Sequence, residues 1–246
     1  MSQFVGCADK FTQQKNKEIL DKVSDFITMF PSNNLNFLYD KDGNPSNLEE
    51  GDLGTWIVSS FNHSTVEKGW QTTGVTINFN KNTREAKGNF LKTIHDTNDI
   101  NKIIEKAEYP IYYDKDGIKF VDQTIESSVK GELAKFKMIF DYISLDRSYL
   151  EKLESKTIYN GEVPVYDITY KLGDKDKNIQ KIKEIYPDLP IDTNNINMTL
   201  AGDGIPWNTT SRVSLEIYLD DNHNNYFTSS LSFKGSGDFN NLIEGE

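Results

Sequence analysis

Ile19, Val23, Ile27 and Phe30 recur at spacings of four, four and three, which places them on one face of a helix that Pro31 brings to an end. Residues 55–61 (TWIVSSF) read as a strand. Val75, Ile77 and Phe79 alternate with Thr76 and Asn78, the period of a half-buried strand, and residues 80–84 (NKNTR) turn the chain into a returning partner over 85–94. A short helix is expected over 99–107. Residues 109–113 and 118–121 flank Asp114-Lys115-Asp116-Gly117 and form a second hairpin. Val129, Leu133, Phe136, Phe140 and Ile143 lie on one stripe and give the strongest helix signal, with residues 146–154 continuing it as a separate short helix. Tyr166, Ile168, Tyr170 and Leu172 alternate as a strand, and Ile179, Ile182 and Tyr186 predict a helix ending at Pro187. Three strands close the chain: Ile196 to Leu200, Val213 to Leu219, and residues 227–233.

Short turns between strands imply antiparallel pairing, and the helices are interspersed rather than strictly alternating. The fold class is therefore α+β, a mostly antiparallel β-sheet with several packed amphipathic helices. No Pro/Gly/Ser-rich linker divides the chain, and residues 144–162 are the best candidate for a boundary. Residues 18–246 read as a single domain behind a segment, 1–17, of different character.

Composition adds limits. The 14 Phe, 12 Tyr and 3 Trp in 246 residues exclude disorder and favour strands. With 27 basic against 38 acidic side chains the net charge is −11, which repels polyanions, and nucleic acid is not an expected partner. The single cysteine excludes an intrachain disulfide and a multi-thiolate zinc site. No apolar run reaches the roughly 18 residues of a transmembrane helix, nor the length of an intact N-terminal signal peptide.

That cysteine stands in Phe4-Val5-Gly6-Cys7, where two small or β-branched residues precede a thiol. This is the pattern of a lipobox, in which small neighbours give a signal peptidase access to a diacylglycerol-bearing cysteine. The other reading is a lone free thiol near a terminus. Residues 8–17 (ADKFTQQKNK) are polar and suit a tether, or else the exposed first turns of the following helix.

Other motifs carry less. Tyr-Asp-Lys-Asp-Gly occurs at 39–43 and again at 113–117; two carboxylates before a Gly resemble part of a calcium loop, but the key first ligand positions hold Leu38 and Tyr112, so both read as turns. His63, His95 and His223 are scattered, without HExxH or HxH spacing. His95-Asp96 is a conceivable base–orienter pair, yet no Ser sits in a GxSxG elbow, and Cys7 is too close to the terminus for a nucleophile. Gly235-Ser236-Gly237 opens no helix and is not a dinucleotide loop. Trp56, Trp70 and Trp207 could line a groove, although most aromatics in such a fold are core or cross-strand packing. The acid pairs Glu49-Glu50 and Asp220-Asp221 read as solvated loop residues. No catalytic residue, cofactor site or metal site is assigned.

Several stretches together resemble one known family: NLNFLYDKDG (34–43), GTWIVS (54–59), NTREAKG (82–88), the helix around Phe136, EVPVYDITY (162–170) and SLSFKG (230–235). In their order they are similar to the staphylococcal tandem lipoproteins, or conserved staphylococcal antigen family. The departures are Phe4 where Leu is usual, and residues 99–107. The resemblance implies a cell-envelope lipoprotein anchored through Cys7 on the outer face of the cytoplasmic membrane. It also implies an association with host-cell internalisation and with immune stimulation through the lipid. The family brings no catalytic residues. The leading expectation is a non-enzymatic, monomeric surface domain that contacts a host-cell or envelope partner. The alternative is a small-molecule- or glycan-binding lipoprotein, which requires a deep, partly aromatic pocket. A hydrolase would require acid–base residues converging in one cleft.

Overall fold

The computed structural model describes residues 5–32, 34–43, 48–99, 101–160, 165–192, 194–203 and 212–235, with side chains from residue 14 onward except at 159, 160 and 203. Ten strands form one antiparallel sheet: β1 (Thr55–Val66), β2 (Gly69–Asn80), β3 (Glu85–His95), β4 (Ile103–Asp114), β5 (Gly117–Phe120), β6 (Ser155–Asn160), β7 (Val165–Leu172), β8 (Ile196–Asp203), β9 (Arg212–Tyr218) and β10 (Tyr226–Lys234). Their order is β5-β4-β3-β2-β1-β10-β9-β8-β7-β6. The chain starts at the centre of the sheet and meanders out to β5. It then crosses to the far edge at β6 and meanders back, so that β10 pairs with β1.

Alternation sets which face is buried. One row runs in register across eight strands: Ile168, Leu200, Leu215, Ser229, Ser60, Val75, Phe90 and Tyr109. The row below it carries Leu231, Val58 and Ile77, all at most 2% exposed. Burying an Ile, Leu or Phe contributes about 1.5–3 kcal/mol each, so register is strongly specified wherever this face is covered.

The helices cover that face: α1 (Val5–Lys22), α2 (Ser24–Ile27), α3 (Ser127–Lys135), α4 (Ile139–Tyr142), α5 (Arg147–Leu150) and α6 (Lys177–Ile185). Ile19, Val23, Ile27 and Phe30 are all buried, as their spacing predicts, although the helix is interrupted at Val23. Phe30 stacks on Phe140 at 4.5 Å and meets Phe26 at 5.1 Å, which fastens α2 to α4. At the β1–β10 seam the core row holds serines rather than large residues. There Ser60 Oγ accepts the Ile139 N–H at 3.1 Å, so the small side chain admits α4 and also satisfies its first donor.

Two expectations need correction. The described residues of 99–107 hold no helix: from Ile103 they pair with β3, through a bulge at Ile94/His95, and Ile103 and Ile104 stay half-exposed. Cross-strand hydrogen bonding decides there, since no buried stripe supports a helix. The helix expected through Ile143 breaks at Phe136–Met138. Residues 144–160, the best place for a boundary had there been one, contain α5 and the edge strand β6, which hydrogen-bonds to β7. Residues 8–17 are helical in backbone, the second of their two readings.

Candidate functional site

The break between α3 and α4 shapes a cleft. Phe136 and Met138 take extended backbone angles, so both side chains turn into the core while Lys137 between them points out. Donors freed by the break are met from elsewhere. Tyr186 Oη accepts the Lys137 N–H at 3.2 Å, and the Asp141 carboxylate accepts the Met138 N–H at 3.2 Å. The segment is therefore held open by side chains rather than closed into helix. Between it, the β4–β5 turn and the end of α6 lies a cleft of ≈ 1280 Å³.

Its walls are mostly apolar: Tyr113, Ile118, Phe136, Tyr186 and Leu189 among them. Two polar groups sit at its inner side. Burial pushes the Asp141 carboxyl up to about 6, with the Met138 N–H opposing. Tyr142 is only 9% exposed, and its hydroxyl has no hydrogen-bond partner. Burial also drives that hydroxyl well above its ordinary range, so it stays protonated. By contrast the Tyr186 hydroxyl is engaged by Asn62 Nδ2 at 3.0 Å. Its charged lining is mixed: Asp116 is held by Lys119 and Lys181 by Glu184, Lys137 acts electrostatically on Asp141, and Lys115, Lys135 and Asp188 stand beside them. Such an arrangement can bind and orient a ligand with both polar and charged groups; it holds no nucleophile beside a base.

Sequence reading missed this cleft, because its residues come from four separate segments. The only available signal was a helical stripe whose polar partners (Lys135, Lys137) fell inside a run of large apolar residues.

The three histidines, far apart in sequence, are brought together on the opposite, open face of the sheet. Trp70 stacks on His63 at 5.5 Å, His63 on Tyr226 at 4.1 Å, Tyr226 on Tyr218 at 5.2 Å, and Tyr218 on His223 at 4.0 Å, while His95 meets Trp70 at 6.2 Å. His63 places its ring nitrogens against Thr72 Oγ1 and Thr228 Oγ1, at 3.0 and 3.3 Å, and burial lowers it to about 4. It is neutral at pH 7 and has no carboxylate to orient it as a base. Asp96 caps its own turn, accepting from the Asn98 N–H and from Lys102. The rings spend their faces on one another, so the ladder acts as cross-strand packing.

The remaining candidates fall as follows. The second Tyr-Asp-Lys-Asp-Gly copy is the β4–β5 turn, with Asp114 and Asp116 both on Lys119 Nζ, at 2.7 and 3.3 Å. In the first copy Asp40 pairs with Arg84 at 2.8 Å. Among the described residues no group of three or more His, Cys, Asp or Glu could hold a metal ion. Asp220 accepts the Asn224 and Asn225 N–H groups, both at 2.9 Å, and so shapes the β9–β10 turn rather than standing solvated. Trp56 is core, with its Nε1–H on the Lys41 carbonyl at 3.2 Å. Trp207 lies outside the described residues, as do Gly237 and the side chain of Cys7, whose backbone is in α1. Among the described residues no helix is long and apolar enough to cross a membrane.

Comparison with known proteins bears on the whole chain. An uncharacterized lipoprotein of Staphylococcus epidermidis is 30% identical over 231 residues, covering 90% of this chain and 87% of its own length. An uncharacterized lipoprotein of Staphylococcus aureus strain N315 is 28% identical over 243 residues, covering 95% of this chain and 93% of its own. A third, from strain MSSA476, is 27% identical over 247 residues. The Csa1 family model matches residues 15–236, from the second half of α1 to just beyond β10, and the chain belongs to the Csa1 family.

Proposed function

We propose that this chain is the folded domain of a cell-surface lipoprotein, anchored through diacylglycerol on Cys7 to the outer face of the cytoplasmic membrane. It works without catalysis, by contacting a host-cell or envelope partner. The observation that carries this reading is near-full-length similarity to staphylococcal proteins named as lipoproteins. The backbone of α1 suits it: Cys7 lies twelve residues before Ile19, the first buried position among the described side chains, a helical rise of about 18 Å. Acyl chains at that point anchor the domain, since each buried methylene contributes ~0.8 kcal/mol. The test is incorporation of labelled palmitate by the protein expressed behind a lipoprotein signal peptide in a Gram-positive cell. Cys7→Ala is expected to abolish labelling and release the protein from membranes. Labelling that persists in the variant would sink the anchor.

A second reading, that the domain also binds a small ligand or glycan, is favoured by the cleft beside Asp141 and Tyr142. Such a function requires a partly aromatic pocket, and this cleft, broadly open to solvent, offers ≈ 1280 Å³ walled in part by Tyr113, Phe136 and Tyr186.

A further inference from the structure

We infer that the open edge of β4 pairs with the same edge of a second copy of this chain, antiparallel about a two-fold axis at Ala107, in place of the monomer expected from sequence.

The edge is open because β5 is short. β4 pairs with β3 along its length, but β5 pairs only with Ile111–Asp114. Since β5 ends the sheet order, Ile103–Tyr109 has no strand on its outer side among the described residues. Every residue from Ile103 to Pro110 is exposed except Ala107 and Tyr109, which are half-buried. The Val121 N–H donates to the Pro110 carbonyl at 3.0 Å, so Pro110 turns its backbone outward. Strand residues alternate in this respect, and Lys106 and Glu108 therefore do the same. Their N–H and C=O groups are a template for a further strand. The opposite edge, β6, is flanked instead by α1, whose Asn16 bonds to Ser155 and Thr157.

Charge selects the occupant and the register. Edge strands ordinarily use charge to keep other chains away. Here the charges balance locally: Lys106 pairs with Glu108 at 3.1 Å, and Glu105 with Lys68 at 2.6 Å. A second copy can therefore approach along this strip, although each chain carries −11. An axis at Glu105, Lys106 or Glu108 would set a charge directly against its own copy, which is destabilising. An axis at Tyr109 would carry the pairing past Pro110, where Val121 already sits. The axis at Ala107 sets Lys106 against Glu108 of the second copy, and the symmetry repeats the pair. It also brings a small side chain to the closest approach, where facing Cα atoms lie about 4.5 Å apart.

Apolar side chains finish both ends. Ile103, Ile104 and Val121 are 50%, 44% and 57% exposed, three of the seven large hydrophobics left exposed among the described residues. In this register Ile104 of the second copy arrives opposite Pro110, the place that Val121 holds. The bulge at Ile94/His95 already leaves Ile104 outside the ladder with β3, so the new ladder ends there and Ile104 meets Val121. A ladder from Glu105 to Tyr109 with these ends is smaller than the ~1,200–2,000 Å² of stable complexes, so the dimer is weak.

The experiment is sedimentation velocity of the whole chain from micromolar to near-millimolar concentration. The weight-average mass should climb from 28.1 kDa towards twice that value. Lys106→Glu alone and Glu108→Lys alone each set like charges opposite each other, and each should weaken self-association roughly tenfold or more. Mixed in equal amounts, the two variants face each other with opposite charges, and the mixture should associate at least as tightly as the wild type. A variant that merely failed to fold would not be rescued by its counterpart. A mass that stays at 28.1 kDa at every concentration overturns the proposal and leaves the edge to a strand of another protein. Association that ignores both substitutions, or that the mixture fails to restore, overturns it as well.

Discussion

At the scale of single residues, two groups displaced chiefly by burial, Asp141 and His63, pull stability in opposite directions. Asp141 is raised to about 6, so the folded chain takes up a proton between the ordinary carboxylate value and 6. Its penalty grows as pH rises through that window and is complete above it. Asp141→Asn keeps an acceptor for the Met138 N–H and removes the buried charge. The variant should be more stable by ~1–2 kcal/mol at pH 7.5 and no more stable near pH 3.5, read from urea melts at both. His63 has the reverse sign. It is lowered to about 4, so the unfolded chain takes up the proton first, and stability is lost as pH falls from about 6.5 towards 4. His63→Phe keeps a ring between Trp70 and Tyr226, and its melts should fall less than the wild type's between pH 7 and 5. Neither group was legible in sequence: His63 read as one of three scattered histidines, and Asp141 carried no signal. Both acquire their character mainly from burial, which only the assembled sheet and its helices supply.

At the scale of elements, alternation was the reliable signal. Strands β7 to β10 follow the period-two pattern that predicted them, because one face of each is buried under helices. The signal failed where neither face is fully covered, at β6 and at the start of β4, and in the polar second half of β1 (residues 62–66). It failed again at the α3–α4 break, where the apolar stripe is real but Ser60, Tyr186 and Asp141 hold the backbone out of helix. That account predicts a specific weakness. Ser60→Ala leaves the buried Ile139 N–H without its acceptor and should cost ~1–3 kcal/mol in denaturant melts, more than a Ser→Ala change ordinarily does. At the other end of the helical layer, Asp146 caps α5 through the Tyr149 N–H at 2.8 Å and holds Lys177 at 3.1 Å. Asp146→Ala should cost ~1 kcal/mol by the same measurement.

For the whole molecule, the sheet order joins the two halves of the chain. Two five-stranded meanders meet at β1 and β10, so the first and last strands are neighbours at the centre and either half alone leaves that seam unpaired. The N-terminal helix joins the far edge: Asn16 Nδ2 donates to Ser155 Oγ at 2.8 Å on β6, and Asp21 pairs with Arg147. The second half of α1 is thus held at the β6 edge, while the cleft has the β4–β5 turn, at the opposite end of the sheet order, as one of its walls. The family pattern was readable from sequence because local strings carry it. The cleft was not, being assembled from segments around 115, 137, 142 and 187. The most direct test of the central claim is mass spectrometry of the N-terminal peptide of the protein recovered from Gram-positive membranes after expression behind a lipoprotein signal peptide. The account predicts a peptide that begins at Cys7 and carries the mass of a thioether-linked diacylglycerol. A peptide that runs through Cys7 with an unmodified thiol would contradict it.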